Sequence, residues 1–227
     1  MKKVIVLSLG GSLIINNKTN KINLEFLKDL KKIILKNTNK YKFVIITGGG
    51  KTARDYINGL EKQKNKKLLQ SFLGISITRL NARFLTYFFN NNQPIPKDMK
   101  QIKNLLKKHK FIFCGALKYS KNQTSDTTSA KLAYYLKSDF INLTNVKGLY
   151  TKNPKKHKNA KFIPEISHKE FLKIANQIEF NPGQHFVLDQ KAAKIIKKHN
   201  IKTYILGDVK QLNNLLNSKH FIGTQIG

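Results

Sequence analysis

The sequence is short of acids, nearly devoid of cysteine, and without a long apolar run. Its one cysteine, Cys114, lies inside the run Phe111-Ile112-Phe113-Cys114-Gly115. Neither an intrachain disulfide nor a cysteine metal site can therefore form. The six histidines never fall at HxxxH spacing, so a zinc site is not expected and no metal-ligating residue is assigned. A reducing cytoplasm is the expected setting. No segment reaches the ~20 apolar residues needed to span a bilayer, so no membrane partner is expected. The opening MKKVIVLSLGGSLII mimics a signal peptide. Two glycines and two serines interrupt it, and Asn16-Asn17-Lys18 stands where a small-residue cleavage site belongs. It reads as a buried first strand. There is no internal repeat, and no Gly-, Ser- or Pro-rich linker divides the chain. Residues 1–227 are expected to form one domain, 40% hydrophobic and long enough to bury a full core.

Acids number 12 against 43 lysines and arginines, a formal charge of +31. A surplus that large raises the question of nucleic acid. The lysines are spread over almost every segment, from Lys2 and Lys3 to Lys219, in company with Asn and Ile. Dispersal of this kind points to a general compositional bias rather than a binding stripe. Nucleic acid is not the expected partner. Scarcity makes each acid at a motif position more informative.

Short apolar runs alternate with helical spacing. Strands are expected at Val4–Leu9, Phe43–Thr47, Phe111–Cys114, Phe140–Thr144 and Thr203–Leu206. Helices are expected at Leu24–Leu35, after Gly50 through Ile57, at Leu68–Phe89, at Ser129–Leu136 with its opening near Asp126, and at Val187–His199. Asn90–Lys100, with Pro94 and Pro96, and Leu117–Ser125 read as loops or lids. Strand, glycine turn, helix, repeated, is the pattern of an α/β fold with a mostly parallel sheet, whose ligands gather at the carboxyl ends of the strands.

Four segments carry chemistry. Leu9-Gly10-Gly11-Ser12 follows the first strand. It is either a plain turn or a loop whose N–H groups, with the Ser12 hydroxyl, face phosphate oxygens. Gly48-Gly49-Gly50-Lys51-Thr52-Ala53-Arg54 contains Gly-Lys-Thr. A Walker A loop needs a glycine where Ile45 stands, so that reading fails. What remains is a helix N-terminus suited to an anion, with Arg54 one turn on, or a generic turn with a solvated arginine. Thr124-Ser125-Asp126-Thr127-Thr128 either caps a helix or binds a second phosphate, with Asp126 orienting a cation. Thr144 to Pro154 places polar groups and Tyr150 after a strand; Tyr150 stacks on a base or packs under a loop.

Taken together and in order, these segments resemble the amino-acid-kinase family over almost the whole chain, and within it the archaeal-type uridylate kinases. The matching stretches are GGS, GGGKTAR, GISITRLNA from Gly74 to Ala82, TSDTT, TNVKGLYTKNP, VLDQKAAKII, IKTYILGD and GTQI. The resemblance implies a three-layer α/β/α sandwich, an acceptor lobe over about 1–135 and an ATP lobe over about 136–227. It implies ATP with Mg²⁺, UMP as acceptor, a place in pyrimidine nucleotide metabolism, and a homo-hexamer built from dimers. By motif, Gly10, Gly11, Ser12, Gly50 and Arg54 meet the ATP phosphates or the transferring group. Thr144, Asn145, Tyr150 and Asn153 surround the adenosine. Gly49, Ser71, Gly115 and Thr124 lie on the UMP side. Arg54, Asp126 and Ser12 are the implied catalytic residues, with Asp126 the organising carboxylate.

The sequence departs from the family at defined places. Ser8 stands where many members carry a lysine, which separates this chain from isopentenyl phosphate and acetylglutamate kinases. Arg54, Lys51, Lys191 and Lys194 then compete for the cation's role. Ser71 replaces the acid that holds the UMP ribose, Asn153 and Lys147 replace two further acids, and the loop from Gly115 to Asp126 is long. Two other readings stay open: a kinase of the same fold for another small acid or phosphate, such as isopentenyl phosphate, and a non-catalytic nucleotide- or RNA-binding relative.

Overall fold

A computed structural model describes residues 2–119, 124–152, 154, 157–177 and 188–227. The strands, in chain order, are β1 (Lys3–Leu9), β2 (Tyr41–Thr47), β3 (Phe111–Cys114), β4 (Asp139–Leu143), β5 (Leu149–Tyr150), β6 (Phe162–Ile163), β7 (Glu165–Ile166), β8 (Thr203–Leu206) and β9 (Gly223–Ile226). Seven of them form the central sheet, in the order β3-β2-β1-β4-β8-β9-β7. β1 to β4 and β8 run parallel, while β9 pairs antiparallel with β8 and parallel with β7. β5 and β6 form a separate small ribbon.

The helices are α1 (Gly11–Ile14), α2 (Leu24–Asn37), α3 (Gly50–Gly59), α4 (Lys66–Phe88), α5 (Met99–Lys108), α6 (Ser125–Leu136), α7 (His168–Asn176), α8 (Gln190–Lys198) and α9 (Val209–Leu216). The period-2 alternation of the strands sorts them into two layers. Ile5, Leu7 and Leu9 of β1, with Phe43 and Ile45 of β2, pack on Leu27, Leu30 and Ile34 of α2, Leu85 of α4 and Leu212 of α9. Val6, Val44, Ile46 and Phe140 face the other way, onto α5, α6, α7 and α8. Burial on both faces is what a mostly parallel sheet requires, and it explains near-continuous apolar runs such as Phe43-Val44-Ile45-Ile46. The expected three-layer α/β/α sandwich is the architecture found.

Several boundaries differ from expectation. The helix expected to open near Asp126 begins at Ser125, because Thr124 caps it by accepting from the N–H groups of Asp126 and Thr127. The helix placed at Val187 begins at Gln190, where Asp189 accepts from Ala192 N–H; Val187 lies outside the described residues. Asn90–Lys100 is not a free lid. Gln93 is buried beside edge strand β3, and turning its carboxamide so that the nitrogen faces the Phe111 carbonyl and the oxygen the Phe113 N–H satisfies both at 3.2 Å. The pairing blunts a sheet edge that would otherwise be open. Asp98 then caps α5. Of the second expected loop, Leu117–Ser125, residues 120–123 lie outside the described residues.

Candidate active site

The carboxyl ends of β1, β2 and β4 are stitched together just past the last ladder bonds. Gly48 N–H donates to the Leu9 carbonyl at 2.8 Å, Gly10 N–H to Leu143 at 3.1 Å, and Thr144 N–H to Leu206 of β8 at 2.9 Å. The loops after these strands therefore form one continuous rim.

Within it the first two glycine loops touch backbone to backbone. A Cβ built on Gly11 would meet the Gly50 nitrogen at 2.2 Å, and one on Gly48 would meet the Gly11 nitrogen at 2.9 Å. Gly50 has φ +64°, a left-handed conformation that L side chains rarely adopt. The expectation that glycine admits a ligand here is thereby refined: at Gly11 the space of the missing side chain is taken by the neighbouring loop. Gly10 differs, since a Cβ there meets nothing nearer than the Leu143 oxygen at 3.5 Å.

Three residues of the GISITRLNA segment on α4 fix the loops from behind. Asn81 Nδ2 donates to the Gly48 carbonyl at 2.8 Å. Thr78 accepts from Ala116 N–H at 2.9 Å, and its carbonyl accepts from Thr47 Oγ1 at 2.7 Å. Arg79 donates through Nε to the Ala116 carbonyl at 3.1 Å and through its terminal nitrogen to Leu117. Gly115 lets this loop lie on the helix, for its Cβ would stand 2.6 Å from Arg79 N. Sequence reading singles out the segment without seeing that its polar side chains bind loop backbone.

Ser12 and Arg54 are each half-buried on this rim, and neither side chain has a hydrogen-bond or ion-pair partner among the described residues. The other candidate cations are placed differently. Lys51 pairs with Asp55 at 2.9 Å on the surface of α3, and Lys191 and Lys194 are exposed on α8.

Asp126 stands in the first turn of α6, and Ser8 on β1 donates to its Oδ1 at 3.1 Å. Ser8, at the position where the sequence reading expects a lysine in many members of the resembling family, thus faces the carboxylate directly. Burial pushes the Asp126 carboxyl up to about 7, the nearby Asp189 carboxylate adds to the rise, and the Ser8 hydroxyl opposes it. Asp189 itself accepts from Thr127 Oγ1 at 2.9 Å and from the Thr124 hydroxyl. Thr124 is therefore committed twice, to the helix cap and to Asp189. Sequence reasoning reaches Asp189 only as part of VLDQKAA. The available signal is an acid just ahead of the apolar spacing Ala192, Ala193, Ile196, the mark of a helix cap.

The remaining expected residues are more scattered. Thr144 and Asn145 follow β4, half-buried and exposed respectively. The turn after them is clasped by β9: Leu149 N–H donates to Thr224 Oγ1 at 2.7 Å. Tyr150 is half-buried, with its ring 5.5 Å from Phe162. Ser71 lies two helical turns before Thr78 and donates to the Lys67 carbonyl at 2.8 Å, inside its own helix. The structure does not join it to the rim. Asn153 lies outside the described residues.

Glycine loops in backbone contact, an arginine with no partner among the described residues and two neighbouring carboxylates thus lie along the carboxyl ends of the parallel strands. The amino acid kinase family model matches residues 3–207, and the chain belongs to that family. It is 33% identical to the uridylate kinase of Pyrococcus abyssi over 221 residues, 95% of this chain and 96% of that one. It is 31% identical to the uridylate kinase of Thermoplasma volcanium over 230 residues, 100% and 98% of the two chains. The crystal structure of uridylate kinase from Archaeoglobus fulgidus superposes with a TM-score of 0.84 at 31% identity, covering all of both chains.

Proposed function

We infer that this protein is a uridylate kinase, transferring the terminal phosphoryl group of ATP to UMP to give ADP and UDP. The observation that carries the reading is the rim itself: Gly10–Ser12 and Gly48–Gly50 in backbone contact, with Arg54 beside them and unpartnered among the described residues. Relatives named for this reaction match nearly the whole chain. The acceptor phosphate is already ionised near neutral pH, so the site needs no strong base. Backbone N–H groups of the two loops and the Ser12 hydroxyl orient the phosphates, and the Arg54 guanidinium offsets charge on the transferring group. UMP lies toward Gly49, Gly115 and Thr124, on the side of residues 1–135. ATP lies toward Thr144, Asn145 and Tyr150, on the side of residues 136–227.

Asp126 and Asp189 suit Mg²⁺ that arrives on the nucleotide. No cluster of three or more His, Cys, Asp or Glu capable of caging an ion occurs among the described residues, and Mg²⁺ is ordinarily bound by one or two carboxylates plus substrate phosphates. Asp126 would hold such an ion, which would supply charge neutralisation at the phosphate oxygens. Ser8, in the family's lysine position, keeps Asp126 oriented without adding charge.

The protein acts in pyrimidine nucleotide metabolism in the cytoplasm, as a homo-hexamer built from dimers. No helix among the described residues is long and apolar enough to cross a membrane. Exposed Leu69, Phe72, Leu80 and Tyr87 on α4 support self-association, because monomers seldom leave such a row uncovered. Light scattering reads the assembly directly. The activity is tested by an acceptor panel with ATP, comparing UMP, CMP, dUMP and isopentenyl phosphate by ADP release.

A further inference from the structure

The loop that leaves β3 is held to α4 by a charged side chain. Arg79 is half-buried, and its guanidinium donates through Nε to the Ala116 carbonyl at 3.1 Å and through a terminal nitrogen to the Leu117 carbonyl. A rigid planar fork spans two successive carbonyls in this way, whereas a lysine ammonium is a single point on a flexible stem. Carbonyls do not neutralise the charge, and Arg79 has no carboxylate partner among the described residues. Thr78, its neighbour on the helix, accepts from the Ala116 N–H at 2.9 Å. Three backbone groups of this short stretch therefore face α4.

What faces the other way follows from peptide geometry. The peptide bonds here are trans, and in a trans peptide the C=O and N–H point to opposite sides. The Ala116 carbonyl shares its peptide with the Leu117 N–H, and the Leu117 carbonyl with the Lys118 N–H. Because Arg79 holds both carbonyls, both N–H groups are turned away from α4, the helix that lies behind the rim. Neither has a hydrogen-bond partner among the described residues. Leu117 is only 4% exposed, and a buried N–H left unpaired is costly. Successive N–H groups facing one way suit an anion. Thr78 connects them to the second glycine loop: a Cβ built on Gly49 would meet Thr78 Cγ2 at 3.7 Å.

We propose that Arg79 is a positioning residue for the acceptor: by holding the Ala116 and Leu117 carbonyls it presents the Leu117 and Lys118 N–H groups to the phosphate of the acceptor nucleotide. This rests on the uridylate kinase reading and adds to it a residue that touches no substrate. The guanidinium also polarises both peptide units, which makes their N–H groups better donors. Its grip is complete before any nucleotide arrives. Removing it therefore weakens acceptor binding in the ground and transition states alike, which raises KM and spares kcat.

The test is steady-state kinetics of the full chain with ATP and UMP. Arg79→Met keeps an unbranched apolar stem and removes the guanidinium. It should raise the KM for UMP about tenfold, the scale of one or two lost hydrogen bonds, with kcat within about twofold and the KM for ATP unchanged. Arg79→Lys can hold one carbonyl, so it should raise the KM for UMP only about threefold. It decides the question alone if the methionine variant does not fold. A residue that merely stabilised the fold would lower the melting temperature without this split, because the molecules still folded would keep the parent KM. An unchanged KM for UMP in the variants, an equal rise for ATP and UMP, or a loss of kcat at unchanged KM would each overturn the proposal and leave the kinase reading intact. A parent protein that releases no ADP with UMP would overturn that reading, and the role of Arg79 with it.

Discussion

The rim at β1 and β2 and the rim at α6 and α8 solve the same problem with different parts. At the first, the working surface is backbone: Gly11, Gly48 and Gly50 lie too close together to carry side chains, and α4 fixes them through Thr78, Arg79 and Asn81. At the second, the groups held in place are side chains: Asp126 and Asp189, bonded by Ser8, Thr124 and Thr127. Backbone positioning is rigid and intolerant of any added atom. Carboxylate positioning is tunable, and it leaves a charge whose cost depends on pH. Packing and activity should therefore fail together at the first rim and separately at the second.

The largest effect on stability is expected at Gly11. Gly11→Ala drives a methyl into the Gly50 backbone, which should destabilise the fold by about 3 kcal/mol. Turnover should fall at least about a hundredfold, since displacement of either loop by about 1 Å misaligns the phosphates. Gly10→Ala, where the added methyl meets only ordinary contacts, should melt within about 1 kcal/mol of the parent in a thermal scan. If the two alanines destabilise equally, backbone contact is not what the first rim depends on.

Arg54→Ala should lower turnover about a thousandfold by analogy with arginines that offset transition-state charge. Stability should stay within about 0.5 kcal/mol, because the guanidinium has no protein partner to lose among the described residues. Steady-state kinetics beside a urea melt separates these outcomes.

Asp126→Asn should reduce turnover about a hundredfold and also change the pH dependence of stability. The folded carboxyl binds its proton up to about pH 7, while an unfolded aspartate releases it at about pH 4. Between those values the folded state holds the extra proton, so the stability of the ligand-free protein falls as pH rises through that window. Removing the charge should flatten this slope and stabilise the protein at pH 8 by roughly 1–3 kcal/mol. Chemical denaturation at pH 5 and pH 8 reads it.

The smallest effect is expected at Thr78→Val. Loss of the Ala116 bond should cost about 1 kcal/mol and raise the KM for UMP several-fold with little change in kcat.

How much of the fold and site is legible in the sequence depends on how local the cause is. Phe111–Cys114 and Thr203–Leu206 read correctly to the residue, because each is an apolar run between a polar stretch and a glycine. Helix α7 escapes the reading although Ser167 and Glu170 spell a complete capping box, a signal that hydrophobic spacing alone does not weigh. β5, β6 and β7 are two residues each, and pairing defines them rather than composition. The glycines of the site are visible, but their reason is not: Gly11 meets Gly50 only because β1 and β2 are neighbours in the sheet. Ser8 and Asp126 are separated by 118 positions, so the contact that ties the family's lysine position to the carboxylate appears only in three dimensions. Ser71 holds the ribose-contact position by motif, and its hydroxyl donates to the Lys67 carbonyl one turn back, a bond that the motif does not announce.

Whether backbone-joined glycine loops beside Arg54 transfer phosphate from ATP to UMP is tested most directly by ADP release. Purified protein with ATP, Mg²⁺ and each acceptor in turn should release ADP fastest with UMP, and Arg54→Ala should remove nearly all of that rate. Equal or greater ADP release with isopentenyl phosphate, or UMP-dependent turnover that Arg54→Ala leaves intact, would contradict it.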